Sequence, residues 1–293
     1  MKKLKYALFT GCTAKQSTPE QMMSTMVVAD KLGIELVELT EASCCGASHL
    51  QDYDDFLSLV LNARNIAYAE KHCLTMVTIC NTCQLNTAMT KHRLDNNADL
   101  KAKVNEKLNE VGLEYKGTSK ITHFLYAIID DIGLDKIKEM VVTPLSQFNI
   151  APFYGCHNIR PSELQNETHD NPEDAYNPTS LDDLIIACGG MNVDYEEKNK
   201  CCGFHVELQA PKTASILTGN AIAGAMDGNA DWMVTPCPLC HLKLDTQTAH
   251  ASEAIGRDVS LPVLHMQQML GLALGCPQEA LGLKHHLTKV NFV

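Results

Sequence analysis

Two adjacent cysteines followed by glycine occur twice in this chain, as EASCCGASHL around Cys44-Cys45 and as KNKCCGFHVE around Cys201-Cys202. Each pair is followed after 34 residues by a C-x2-C, Cys80 with Cys83 and Cys237 with Cys240. Each is preceded by one further cysteine, Cys12 with 31 intervening residues and Cys156 with 44. Five thiols per half, in one repeated order, suit soft-metal binding or redox chemistry. Zinc generally takes four ligands from two C-x2-C pairs, and neighbouring residues of an extended segment point to opposite sides, so a Cys-Cys pair does not easily grip one ion. A cubane iron–sulfur cluster needs four thiolates, and a fifth suits a larger or more open cluster. Iron–sulfur binding, zinc binding and a thiol redox relay all remain open on spacing alone.

The surroundings repeat with the cysteines. LFTGC (8–12) matches PFYGC (152–156), TMVTICNTCQLN (75–86) matches DWMVTPCPLCHLK (231–243), and THFLYAIIDDIG (122–133) matches VLHMQQMLGLAL (263–274), the last pair read as an apolar helix closing each half. This is the pattern of an internal duplication, with one domain over 1–145 and a second over 146–293. Pro19 at a helix start, the alternation in Ile34–Leu39 and the apolar runs into Cys12, Cys80, Cys156 and Cys237 predict strands alternating with helices, an α/β fold with parallel strands. Strand ends in such folds converge on one edge, where the cysteines fall.

Composition narrows the function. The 293 residues have 45% hydrophobic content and a formal net charge of −11, which excludes nucleic acid as a main partner. No apolar run reaches the length of a membrane helix. The apolar part of MKKLKYALFTGC is only Tyr6–Phe9, too short for a secretory signal, so a cytoplasmic protein is expected. Thirteen cysteines in such a protein are not a disulfide framework. No G-x-G-x-x-G follows a predicted strand, so electrons must come from elsewhere.

The doubled pattern resembles the tandem CCG domains of the heterodisulfide reductase B-subunit family, over nearly the whole chain. The resemblance implies two noncubane [4Fe-4S] clusters, one held by Cys12, Cys44, Cys45, Cys80 and Cys83, the other by Cys156, Cys201, Cys202, Cys237 and Cys240. It implies a disulfide oxidoreductase that cleaves or forms a disulfide, or a carrier-bound sulfur species, between the clusters. The implied partners are a cubane iron–sulfur subunit and a flavin subunit of the same complex. In methanogens the family's substrate is the coenzyme M–coenzyme B disulfide. The lack of a dense basic cluster here leans towards the sulfur-oxidation branch. The longer Cys156–Cys201 interval places a polar loop, NETHDNPEDAYNPT (166–179), beside the site. The alternative is a non-catalytic electron-transfer or quinone-linked CCG subunit of a respiratory reductase.

Outside the ten, His157 follows Cys156 directly and is the candidate proton donor to a departing thiolate. His241, after Cys240, is a weaker candidate, while His49 and His205 read as supporting residues. Arg160 suits either an anionic substrate group or a surface ion pair. Cys73, Cys188 and Cys276 read as core cysteines, Cys188 at a helix end capped by Gly189. The polar stretch Arg93–Glu110 reads as a solvated helix face, and His285-His286 as an isolated pair.

Overall fold

The computed structural model describes residues 4–164 and 173–289. Residues 166–172 of the expected loop lie outside the described residues. The first half runs β1 (Leu4–Phe9), α1 (Pro19–Lys31), β2 (Ile34–Glu38), α2 (His49–Tyr53), α3 (Asp55–Lys71), β3 (Met76–Thr78), α4 (Asn81–Asp95), α5 (Ala98–Asn109), β4 (Ile121–His123), α6 (Phe124–Asp131) and α7 (Leu134–Met140). The second runs β5 (Asn149–Pro152), α8 (Ser180–Ala187), β6 (Met191–Asn192), α9 (Pro211–Asp227), β7 (Trp232–Thr235), α10 (Pro238–Thr246), α11 (Thr248–Ile255), β8 (Val263–His265) and α12 (Met266–Ala273).

Each half holds a four-stranded parallel sheet, in the orders β2-β1-β3-β4 and β6-β5-β7-β8. The fold is therefore α/β, with the same topology twice. In both sheets the connection out of the first strand goes one way and the third strand lies on its other side. That places a topological switch point between β1 and β3, and again between β5 and β7, where ligands of open parallel sheets settle. Cys12 and Cys80 follow the ends of β1 and β3, and Cys156 and Cys237 those of β5 and β7.

The period-2 alternation of β1 sends its side chains to two cores. Ala7 and Phe9 face one, with Ala151 and Phe153 of the other half. Tyr6 and Leu8 face a second, with Ile150, Trp232 and Leu264. Neither core stops at the middle of the chain. α1 packs on α12 and α6 on α8, reciprocal contacts between equivalent helices, as a two-fold relation requires. Truncating the fully buried Leu8 to alanine is expected to cost about 2–5 kcal/mol, since both sheets pack through that layer.

Several elements differ from the sequence reading. The segments 122–133 and 263–274 begin with the buried strands β4 and β8 before turning into helix; three residues are too few for a periodic signal. β6 is only two residues long, Met191–Asn192, because the chain then turns away and Lys198 pairs with Asp182 (3.0 Å) and Asp194 (2.9 Å). The polar stretch 93–110 is not one solvated face. α4 ends within it, the Asn97 side chain caps α5 by accepting from the Leu100 N–H, and α5 buries Val104 and Leu108.

Candidate metal centre

The two CCG motifs are built alike. After each Cys-Cys pair the glycine takes a left-handed conformation, φ +88° at Gly46 and +93° at Gly203. The turn points each glycine N–H back at the first thiol, 3.4 Å to Cys44 Sγ and 3.3 Å to Cys201 Sγ. A side chain would not fit: a Cβ on Gly203 would lie 2.4 Å from the Ala214 carbonyl oxygen. Adjacent cysteines diverge at this turn, so the first stays accessible while Cys45 and Cys202 are buried. The C-x2-C pairs sit on the opening turns of α4 and α10, whose positive ends favour anionic sulfur.

All ten repeat cysteines form one continuous chain of thiol contacts. Cys12 meets Cys44, Cys44 meets Cys45, Cys45 meets Cys83, and Cys83 meets Cys80. Cys80 crosses to Cys237, and the order runs on through Cys240, Cys202, Cys201 and Cys156. The Cys83–Cys45 step is 3.5 Å between sulfurs. Hydrogen bonds from their neighbours hold Cys44 and Cys201 well below the ordinary thiol range. The thiols that donate in turn, Cys12 and Cys156, are pushed well above it by that hydrogen bond and by burial. Ten thiols, each beside the next, cannot all ionise unless something cationic replaces their protons.

The halves interlock at the same seam. Asn81 donates its side-chain amide to the Tyr154 carbonyl (2.7 Å) and its backbone N–H to the Cys237 thiol. Thr82 Oγ1 lies 3.0 Å from His157 Nδ1 and 2.9 Å from His205 Nε2, and the two rings stack with centroids 4.5 Å apart. These groups line a narrow cleft with Cys156, Cys202, Cys237 and Cys240, with free space of about one water molecule, ≈ 10 Å³. Burial lowers His157 from the ordinary imidazole value and takes His205 to about 4, so both rings are neutral.

The remaining candidates are distributed as follows. His205, expected as a supporting residue, stands at the seam with His157, and His49 approaches its ring at 6.2 Å. His241 faces away from the cleft, 3.0 Å from the Val263 carbonyl. Among the described residues Arg160 meets neither an ion partner nor the cleft; its guanidinium donates to the Asn199 and Ala175 carbonyls, both at 2.9 Å. Cys188 is buried as expected, Cys276 is half-buried, and Cys73 is exposed. Cys73 takes φ +52° in the turn after α3, which holds it outside the core. His286 is not isolated: it is buried against His241 and Gln268. Thr82 does not stand out in the sequence, although its place inside CNTC, between two thiols, is the available signal.

The donor set fits an iron–sulfur group. Five thiols converge in each half, and a Cβ on Gly11 or Gly155 would come within 2.9 Å of Cys83 Sγ or 2.8 Å of Cys240 Sγ. Bare backbone therefore lies against each set, where a bulky inorganic core needs room.

Two thiol-rich sheet edges joined through a shared seam define a tandem cysteine-rich redox protein. The family model described as CCG, cysteine-rich domain, matches residues 6–87 and 150–245, and the chain belongs to this family. It is 38% identical over 282 residues to the 8-methylmenaquinol:fumarate reductase membrane anchor subunit of Wolinella succinogenes, covering 96% of each chain. It is 34% identical over 285 residues to the B-subunit of the ferredoxin/F420H2-dependent CoB-CoM heterodisulfide reductase of Methanosarcina acetivorans, covering 96% of this chain and 93% of that one. A protein of Archaeoglobus profundus described as like the heterodisulfide reductase B-subunit is 30% identical, with 94% and 92% covered. A hypothetical protein from Helicobacter pylori shares the fold, with TM-score 0.78 and 19% identity, over 100% of this chain and 53% of that one. The chain is thus an iron–sulfur type CCG subunit, similar over its whole length to subunits of multi-subunit reductases. Among the described residues no helix is long and apolar enough to cross a membrane.

Proposed function

We propose that this chain is the catalytic subunit of a heterodisulfide reductase-like complex, holding two noncubane [4Fe-4S] clusters and acting on a disulfide or carrier-bound sulfur substrate at the seam between them. The observation that carries the reading is the symmetric thiol chain centred on Cys80 and Cys237, with a histidine-lined cleft beside it. Cys12, Cys44, Cys45, Cys80 and Cys83 would hold one cluster, and the five equivalent cysteines of the second half the other. Each cluster supplies one-electron redox chemistry when bound. Reducing a disulfide takes two electrons and two protons and yields two thiols, which is a reason to pair two such groups. The electrons come from partner proteins of the complex, a flavin protein and a cubane iron–sulfur protein.

The chain's own residues position the proton. Thr82 has one hydroxyl hydrogen and lies between two rings, so it donates to one and accepts from the other. Donation to His157 Nδ1 leaves the proton of His157 on Nε2, and His205 Nε2–H donates to the Thr82 oxygen. His157 then presents Nε2–H to a leaving thiolate as a hydrogen-bond donor, and it becomes the proton donor once the nearby negative sulfur has drawn a second proton onto the ring. Equal strand orders in the two sheets support a duplication of units 1–145 and 146–293. A cytoplasmic location goes with this reading, since free thiols persist there.

A second reading has its own support. The relative at 38% identity is named as belonging to a methylmenaquinol:fumarate reductase, which favours a quinone-linked CCG subunit. Both readings are tested on anaerobically purified protein by iron and sulfide analysis, followed by EPR of an oxidised sample with and without thiol. About eight irons per chain and a signal that appears only with thiol support the disulfide reading. About eight irons without thiol response, but with reoxidation by a quinone, support the second. Zinc without iron overturns both.

A further inference from the structure

A second polar cluster lies behind the seam, on the far side of the helix that carries Cys240. His241 follows Cys240 and turns into the protein. Its Nε2 is 2.9 Å from His286 Nδ1, and its ring stacks on His265 with centroids 4.0 Å apart. His265 Nε2 is 3.2 Å from Glu20 Oε1. Asp245, one turn along α10, accepts the Leu287 and Thr288 N–H groups at 2.9 and 3.1 Å. Glu20, His241, Asp245, His265 and His286 are all buried.

Two overlapping triads meet the geometry of a metal site. One ligand atom each from Glu20, His241 and His265 lies within 4.8 Å of the others, and the same holds for His241, Asp245 and His286. His241 belongs to both. Two further observations point to a ligand. The Nδ1 atom of His241 is buried without a partner among the described residues. The buried carboxylate of Glu20 faces imidazole, a ring that is neutral unless protonated, so among the described residues it meets no fixed cation. Among the described residues the arrangement is also confined to one half. The first-half positions equivalent to His241 and His265 carry Gln84, bonded to Thr78 (3.1 Å), and His123, which has no carboxylate partner there.

We infer that Glu20, His241, His265 and His286 form a binding site for a divalent transition-metal ion, with Zn²⁺ the best match. Three imidazoles and one carboxylate are borderline donors that suit zinc, and their closed, buried setting suits a structural rather than a catalytic ion. The ligands come from α1 of the first half, from α10 and the β8 end of the second, and from the segment after Gly282. An ion there ties the first half and the C-terminal segment to the helix that presents Cys240.

The test is zinc and iron analysis of the anaerobically purified full chain after dialysis against EDTA, with zinc K-edge absorption on the same sample. The expected result is about one zinc per chain, surrounded by nitrogen and oxygen at about 2.0 Å. Iron without zinc overturns the inference. So does a sulfur shell at about 2.3 Å, which places the zinc in the cysteine sets. Glu20→Gln and His286→Gln are each expected to reduce retained zinc at least tenfold with iron per chain unchanged; unchanged zinc in both overturns the site. If a variant fails to fold, the absorption spectrum of the unaltered protein still decides. Iron content reports separately on the cluster reading, so zinc in a nitrogen–oxygen shell without iron sinks that reading and leaves this site standing.

Discussion

Cys80 and Cys237, each the first cysteine of its C-x2-C, face one another across the seam between the two halves, and each shifts the other's ionisation. They are equivalent positions, so the contact lies where a two-fold relation meets itself. Each set is otherwise complete within its half. Loading of one set should therefore tolerate loss of the other. Cys83→Ser is expected to reduce iron from about eight to about four per chain, and Cys83→Ser with Cys240→Ser to remove nearly all of it. Iron analysis checks this. A single substitution that empties both sets would mean the seam, not the half, is the unit of assembly.

Gly11 and Gly155 precede the first cysteine of each set at φ +68° and +67°. Alanine there meets Cys83 Sγ or Cys240 Sγ inside van der Waals contact, and the left-handed conformation costs a further 1–2 kcal/mol or so. Both effects act at the thiols and not on either core. Gly11→Ala and Gly155→Ala should each roughly halve the iron content while the melting temperature of the metal-free protein falls by only a few degrees. Iron analysis beside thermal denaturation separates the two. Full iron loading would show that the backbone cradle is not needed.

Much of this site is legible in the sequence, for a physical reason. Metal-type chemistry demands particular side chains at fixed spacing, so Cys12 through Cys240 stand out, and Pro19, Pro211 and the apolar runs mark the elements that carry them. β4 and β8 do not stand out, because three buried residues carry no period. Nor do Thr82, His286 or Glu20, whose partners are 75, 45 and 245 positions away in the chain. Spacing exposes what lies on one loop or helix turn, and only packing exposes what two halves bring together.

In the proposed function Thr82 acts through His157. Thr82→Val removes the hydroxyl and keeps the shape, so the His157 ring loses its fixed tautomer while the thiols are untouched. Turnover with a disulfide substrate is expected to fall about ten- to a hundredfold, the range of misplaced general acid catalysis. Iron content and KM should stay within twofold, and Thr82→Ser should restore most of the rate. A fall in iron matching the fall in rate would assign Thr82 to structure instead.

Two of the cysteines outside the repeat should differ in reactivity. Cys73 is exposed, whereas Cys188 is buried and its thiol is pushed up to about 12 by desolvation. At pH 8 roughly one Cys188 in ten thousand would be thiolate. In the native, metal-loaded protein, iodoacetamide should label Cys73 within minutes and leave Cys188 unlabelled until denaturant is added. Peptide mapping reads both. Early labelling of Cys188 would show that the α8 end opens readily.

His123 gives the fold an acid limit. Its Nδ1 accepts the Leu125 N–H at 3.1 Å, and complete burial lowers its pKa from 6.5 to about 4. The unfolded chain therefore binds a proton between pH 6.5 and 4 that the folded chain refuses, so stability rises with pH across that window. The contribution of His123 is fully present above pH 6.5 and is lost as pH falls towards 4, on the order of 3 kcal/mol in all. Urea denaturation of the metal-free chain at pH 7.5, 6 and 5 should show a steadily falling midpoint. His123→Gln, which cannot charge, should flatten that fall while lowering the midpoint at pH 7.5. An equal pH slope in the variant would assign the acid sensitivity to other buried imidazoles.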